Sequence, residues 1–197
     1  MRRLLPTFAL FVIVACGDRG AARSGGTVVI GTPVDADALL MPLVDGIQGR
    51  IVSELIFDRL AEIGPALNTV GDSGFAPRLA RSWSWSADSL AITFALDPAA
   101  TWHDGTPVRA ADVVFGLEAI RDSGNVSPLG AATADIVSIT AVDSLSAEVR
   151  FARRSPEQFH SATLVVPLPA HVYGAIPSGA LRTSAEALAP VGSVLFA

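Results

Sequence analysis

Between residues 81 and 120 the chain reads RSWSWSADSLAITFALDPAATWHDGTPVRAADVVFGLEAI, an order that few folds accept. Trp83 and Trp85 stand two apart and so share one face of an extended strand. After the polar turn SADS, Leu90, Ile92, Phe94 and Leu96 alternate down a second strand. Strands joined by so short a turn pair antiparallel and leave one apolar face to be covered. Ala110, Val113, Val114, Leu117 and Ile120 then recur at helical spacing, which predicts a helix over about 110–122. Asp112 falls in its first turn, where a carboxylate favours the helix N-terminus, and Gly124 follows its end.

Trp102, His103 and Asp104 stand side by side between hairpin and helix, either as a reactive cluster or as a turn. Asp104-Gly105 is a strong turn pair, because glycine accepts positive φ and the aspartate side chain bonds nearby backbone. Pro107 then fixes the approach to the helix. A metal site would need further ligands close by, but no H-x-x-x-H pattern occurs, and His160 and His171 lie far along the chain on unrelated local patterns. No G-x-S-x-G elbow makes a serine a nucleophile. The stretch is read as architecture, with no catalytic residue, no metal and no cofactor expected.

The flanking segments continue the pattern. TVVIG (residues 27–31) reads as a short strand covered on both faces. From Ile47 to Ile63 the residues Ile51, Val52, Leu55, Ile56, Leu60 and Ile63 follow a helical period. Arg50 and Glu54 would face water at i,i+4, and Gly64-Pro65 would stop the helix. IVSITAVD and AEVRFARR flank a short turn at residues 143–146 and read as a second hairpin, with a brief helical piece near 156–163.

At the N-terminus, two arginines precede an apolar run from Leu4 to Ala15 and then Cys16, the chain's one cysteine. Twelve positions are too few to span a bilayer, which takes about 20, but they suit a signal-peptide core. Cys16 after Ile-Val-Ala resembles a bacterial lipobox, which makes it the expected lipid attachment site. GDRGAARSGG (17–26) reads as a flexible tether. The formal charge is −5 and no basic run follows the leader, so nucleic-acid binding has little to work with. Neither GxGxxG nor a P-loop is present.

Taken together, the segments GGTVVIGTPVDADALLMPL, RIVSELIFDRLAEIG, FAPRLARSWSWSADSLAITFALDPAATWHDGTPVRAADVVFGLEAI, IVSITAVDSLSAEVRF and LRTSAEALAPVG resemble the family 5 extracytoplasmic solute-binding proteins of peptide-type ABC transporters. This family includes dipeptide, oligopeptide and nickel-chelate binding proteins. The resemblance runs from about residue 25 to 192, and the order LA-x-SW, hairpin, WHDG-x-P, ADVVF is its most specific part. It implies an α/β, periplasmic-binding-protein-like (type II) lobe, a mixed sheet with β-hairpins and flanking helices. The expected organisation is a lipoprotein signal peptide over 1–16, a tether over 17–26 and the N-terminal part of a solute-binding domain over 27–197.

Three features depart from the family, one being that no Arg stands in LVVPLPAHVYG, so no anion partner is expected in that segment. Arg109 stands at the cap before the AADVV helix, where relatives usually carry Thr or Ser, so a weak N-terminus is expected there. Family chains continue after PVG through a Thr-Gly-Pro-aromatic turn into a second lobe. Here the sequence reads PVGSVLFA, so a domain truncated before that lobe is expected.

The resemblance implies a non-enzymatic, monomeric carrier on the periplasmic side of the envelope, lipid-anchored to a membrane. It would take a peptide or peptide-like solute to ABC transporter permease subunits. Ligands of open α/β domains favour the crevice beyond the carboxyl ends of strands. Thr32, Pro33, Asp35 and Asp37 leave the first strand at such a place, and the carboxylates could attract an α-ammonium group. A nickel-chelate or sugar-binding member, a fragment without ligand and an envelope hydrolase are the alternatives. For the anchor, Cys16→Ser should release the protein from the membrane pellet on envelope fractionation; a variant that still pellets like the wild type would place the anchor elsewhere.

Overall fold

The computed structural model describes residues 31–184 and 193–194. The leader, Cys16, the tether and most of the 27–31 strand lie outside the described residues. All elements below belong to the unit that starts at Thr32. A 3-10 turn, Met41–Leu43, leads into α1 (Ile47–Ile56), β1 (Ala61–Ile63), β2 (Phe75–Pro77), β3 (Ala80–Trp85), β4 (Ala91–Leu96) and β5 (Thr101–Trp102). Then come α2 (Ala110–Arg121), β6 (Ile136–Ala141), β7 (Ser146–Phe151), α3 (Gln158–Thr163), α4 (Ala170–Tyr173), a 3-10 segment Ser178–Thr183 and β8 (Ser193–Val194).

The two hairpins read from the sequence join into one four-stranded antiparallel sheet in the order β3-β4-β7-β6. Register decides which face is apolar. Trp83 pairs with Phe94 and Phe94 with Ala147, while Trp85 pairs with Ile92 and Ile92 with Val149. Directly opposed residues point to one side, so these pairs build a continuous apolar face. Thr93, paired with Ser84 and Glu148, lies on the opposite, polar side. The apolar face is covered by α2 through Val113, Leu117 and Ile120 and by α3 through Phe159 and Ala162. Phe159 sits among Phe75, Trp83 and Phe94, with ring centroids 4.7, 4.8 and 5.6 Å away. Tilted rings at these distances attract one another beyond the area they bury.

Packing is tight where α2 passes the segment after α3. A Cβ placed on Gly116 would lie 2.2 Å from the Val166 carbonyl oxygen, so glycine is what permits this approach. At the other end of the helix, Arg121 donates from Nη1 to the Val137 carbonyl at 3.0 Å and from Nη2 to that of Ile136. That ties α2 to β6, an outer strand of the sheet. A second cluster of buried residues holds Leu40, Leu43, Phe57, Leu79, Trp102, Val108, Leu168 and Tyr173.

The expected helix over 47–63 is corrected. α1 ends at Ile56, Phe57 is extended, and Ala61–Ile63 pairs with Phe75–Pro77 instead. Leu60 explains the break, since its carbonyl accepts the amides of Arg78 and Ala80 and so is committed to neighbouring chain. Periodicity could not separate the two, because Leu60 and Ile63 suit either conformation. The expected sidedness of α1 is also corrected: Gly49 and Ser53 are buried, whereas Ile47, Ile51 and Leu55 are 67, 56 and 83% exposed. Glu54 pairs with Arg59 at 3.0 Å rather than with Arg50. Phe94→Ala should therefore cost about 3–5 kcal/mol in urea unfolding, while Leu55→Ser should stay within about 0.5 kcal/mol. Comparable losses would mean that the apolar face of α1 is covered in solution.

Candidate functional site

The segment expected to meet ligand runs over the surface into α1. Thr32, Pro33 and Asp35 are exposed, and Thr32 donates its hydroxyl to the Val34 carbonyl at 2.9 Å. Asp37 has a structural task as well. Its Oδ2 accepts the amides of Asp45 and Gly46 at 2.7 and 3.0 Å, just ahead of α1. Partial burial works against the Asp37 carboxylate, but the amides of Asp45 and Gly46 outweigh it and hold the group below its ordinary range. The carboxylate thus sits at a helix N-terminus, where negative charge is favoured. Asp35, exposed two residues earlier, is the carboxylate of this segment that points to no such duty in the described contacts.

Beyond the C-terminal end of α1 lies a recess of about 350 Å³, lined among others by Glu54, Asp58, Arg59, Glu62, Arg78 and His160. Its cations are engaged by protein: Arg78 Nε meets Glu62 Oε2 at 2.7 Å, and Arg59 reaches both Glu54 and the Thr163 carbonyl. Each of these exposed pairs contributes little by itself.

The Trp102–Thr106 stretch forms a turn. Gly105 has φ +85° and donates its amide to the Trp102 carbonyl at 2.9 Å, while Asp104 Oδ1 accepts the Thr106 amide at 2.9 Å. Trp102 is fully buried and its indole donates to Asp112 Oδ2 at 3.1 Å. Asp112, itself 4% exposed, also accepts the Arg109 amide at 2.8 Å and, through Oδ1, the Ala170 amide at 3.0 Å. Arg109 makes no side-chain cap hydrogen bond, and backbone meets the first-turn amides instead: Ala110 donates to the Ser144 carbonyl and Asp112 to the Arg109 carbonyl, both at 3.0 Å. The Asp112 side chain supplies the reciprocal half of a capping box, taking the Arg109 amide, while Arg109 has no side-chain acceptor to offer the first-turn amides as Ser or Thr would.

Sequence spacing also missed a partner. His171, on α4, places Nε2 2.7 Å from Asp104 Oδ2, although the two stand on unrelated local patterns. The bond with His171 first, and the Thr106 amide second, hold the Asp104 carboxyl at about 2. Among the described residues no group of three or more His, Cys, Asp or Glu could hold a metal ion.

Comparison with known proteins places this architecture. The family described as "Bacterial extracellular solute-binding proteins, family 5 Middle" matches residues 74–193, more than half of the chain. The chain belongs to the family 5 bacterial extracellular solute-binding proteins. A Brucella ovis protein, provisionally assigned as an ABC transporter peptide-binding protein, is 32% identical over 130 residues, which cover 66% of this chain and 23% of that one. The periplasmic alpha-galactoside-binding protein of Rhizobium meliloti is 36% identical over 86 residues, 42% of this chain and 12% of its own. The chain thus spans less than a quarter of the length of these relatives.

Among solved structures, the substrate-binding protein CtaP of Listeria monocytogenes superposes with TM-score 0.70 at 24% identity, over 85% of this chain and 33% of that one. NikZ of Campylobacter jejuni, solved with Ni(L-His), gives TM-score 0.60 at 27% identity, over 72% and 27%. The family 5 fold expected from the sequence is therefore present, as part of a larger architecture. The family is one of extracellular solute-binding proteins, and none of these relatives is named as an enzyme.

Two measurements check the turn. Gly105→Val should destabilise by on the order of 1–3 kcal/mol, from the positive φ alone since a Cβ there meets nothing within 4 Å. His103→Ala should be near neutral in the same thermal melts. Because Asp104 is depressed when folded, the stability linked to its ionisation is complete above its ordinary value of 3.8 and is lost as pH falls through about 2. His171→Ala should shrink that acid loss in urea titrations between about pH 4 and pH 2, and identical slopes would show the pair to be silent.

Proposed function

We propose that this family 5 protein captures short peptides or peptide-like solutes outside the cytoplasmic membrane and passes them to the permease of an ABC importer. The observation that carries the reading is the 32% identity over 130 residues to a protein provisionally assigned as an ABC transporter peptide-binding protein, together with this chain's own family. In this reading the chain is monomeric and is held at the membrane by lipid on Cys16.

The segment Thr32–Asp37 supplies the first contacts. An extended peptide is held mainly through its backbone, with charged groups meeting its termini. Asp35 is the group for the peptide's α-ammonium, while Asp37 holds the N-terminus of α1 and thereby the position of the loop. Thr32 and Pro33 shape the approach. A second solute class has specific support, since relatives are named for alpha-galactosides and solved with a nickel–histidine complex.

The purified protein, titrated calorimetrically with di- to pentapeptides, should bind them saturably. Affinity near millimolar, about −4 kcal/mol, is expected from contacts that face bulk water. Acetylating the peptide amine, or Asp35→Asn, should weaken binding by up to about fivefold, the range of one exposed ion pair. Saturable binding of an alpha-galactoside or of Ni(L-His), with none of peptides, would overturn the peptide reading. Peptide binding indifferent to both the acetyl group and Asp35→Asn would remove the loop from the site.

A further inference from the structure

At the N-terminal end of α3 lies a smaller pocket of about 270 Å³, lined by Gly71, Asp72, Trp85, Ser89, Gln158 and Phe159 among others. Its carboxylate is unusual. Asp72 Oδ2 accepts both the Trp83 indole N–H at 2.9 Å and the Trp85 indole N–H at 3.0 Å. Two neutral donors share one oxygen, and no hydrogen bond to Oδ1 and no ion pair to Asp72 occurs among the described residues. Arg154, close by in the chain, instead donates Nε to the Asp88 carbonyl at 2.8 Å. Among the described residues this half-buried carboxylate is oriented by the indole edges and paired with no cation. Phe159 closes the floor, with its ring centroid 6.5 Å from that of Trp85 and inclined at 50°. The walls are pinned as well: the Gly71 amide bonds the Pro156 carbonyl at 2.9 Å, and Gln158 Nε2 donates to the Ser89 carbonyl at 3.1 Å.

We propose that this pocket is a binding site for the head group of a small organic cation, of the alkylammonium class. An aromatic face attracts a cation electrostatically, most strongly with tryptophan and when water is excluded. Asp72, held at the N–H edges of the two indoles, supplies the counter-charge at the rim of the pocket that Trp85 and Phe159 line. The pocket lies just below the range of about 300–1,000 Å³ that takes drug-sized ligands, so it suits a head group rather than a whole peptide. The site stands on the β3–β4 hairpin and α3, apart from the Thr32–Asp37 segment, and is independent of the peptide reading.

The three indoles make the test internal to one protein. Choline is the probe, and neohexyl alcohol, in which carbon replaces the nitrogen, is its uncharged isostere. In ¹⁵N-correlated spectra, choline should move the indole N–H signals of Trp83 and Trp85 saturably. The Trp102 signal should stay in place, because that indole is buried against Asp112. The alcohol should move none of the three. Asp72→Asn and Trp85→Leu should each weaken choline by about fivefold or more, with an unshifted Trp102 signal reporting that the fold is intact. If either variant fails to fold, the contrast between choline and the alcohol in the wild type decides alone. Equal shifts from both probes, movement of all three indoles together, or no saturable shift would each overturn the proposal.

Discussion

The carboxylate of Asp112 holds together β5, the start of α2 and the start of α4. It takes the indole of Trp102 from β5, the amide of Arg109 ahead of α2 and the amide of Ala170 at the start of α4, and its own carbonyl accepts the Leu168 amide. A buried carboxylate is costly to leave without donors. Three donors on two oxygens satisfy it here, and the same bonds cap α2 and seat Trp102 in the second core cluster. The tryptophan of the turn is therefore a packing element whose polar atom needed a partner, and Asp112 is that partner.

Much of the remaining architecture follows from a sheet with one apolar face. Register across β3, β4, β7 and β6 aligns Trp83, Trp85, Ile92, Phe94 and Val149, and the flanking helices α2 and α3 close over them. Gly116 lets α2 approach the backbone at Val166, so the helix is anchored both to the sheet and to the segment that leads to α4. A rigid body of this kind is what a solute-binding protein needs behind its ligand loops, since contacts made from mobile loops are effective only when a fixed scaffold positions them. In the Thr32–Asp37 segment, Asp37 is bonded to the start of α1, and Asp35 is left exposed.

The hairpins, the α2 helix and the turn at Gly105 were legible because each is written in local pattern, as period two, period 3.6 and a turn dipeptide. The stretch after Ile56 was not, because Leu60 and Ile63 satisfy a helical period while their hydrogen-bond partners lie at residues 75–80. The sidedness of α1 was misread for a related reason. Its apolar residues are clustered as on a core-facing helix, yet the described structure buries Gly49 and Ser53, and the Ser53 hydroxyl donates to the Leu39 carbonyl at 2.7 Å. The pairing of His171 with Asp104 and of Asp72 with two indoles left no local signal at all, since 67, 11 and 13 residues separate the partners.

The sequence by itself determined the element types along most of the described chain, the turn at Asp104-Gly105 and the family, because these depend on side-chain periodicity, backbone preference and motif order. Tertiary structure alone decided which carboxylates are committed. Asp37, Asp72, Asp104 and Asp112 are similar aspartates in the sequence, yet one holds the start of a helix, one receives two indoles, one meets a histidine and one joins three elements. An aspartate's role is set by the donors that folding brings within about 3 Å, and these come from as far as 67 residues away for Asp104 and 58 for Asp112.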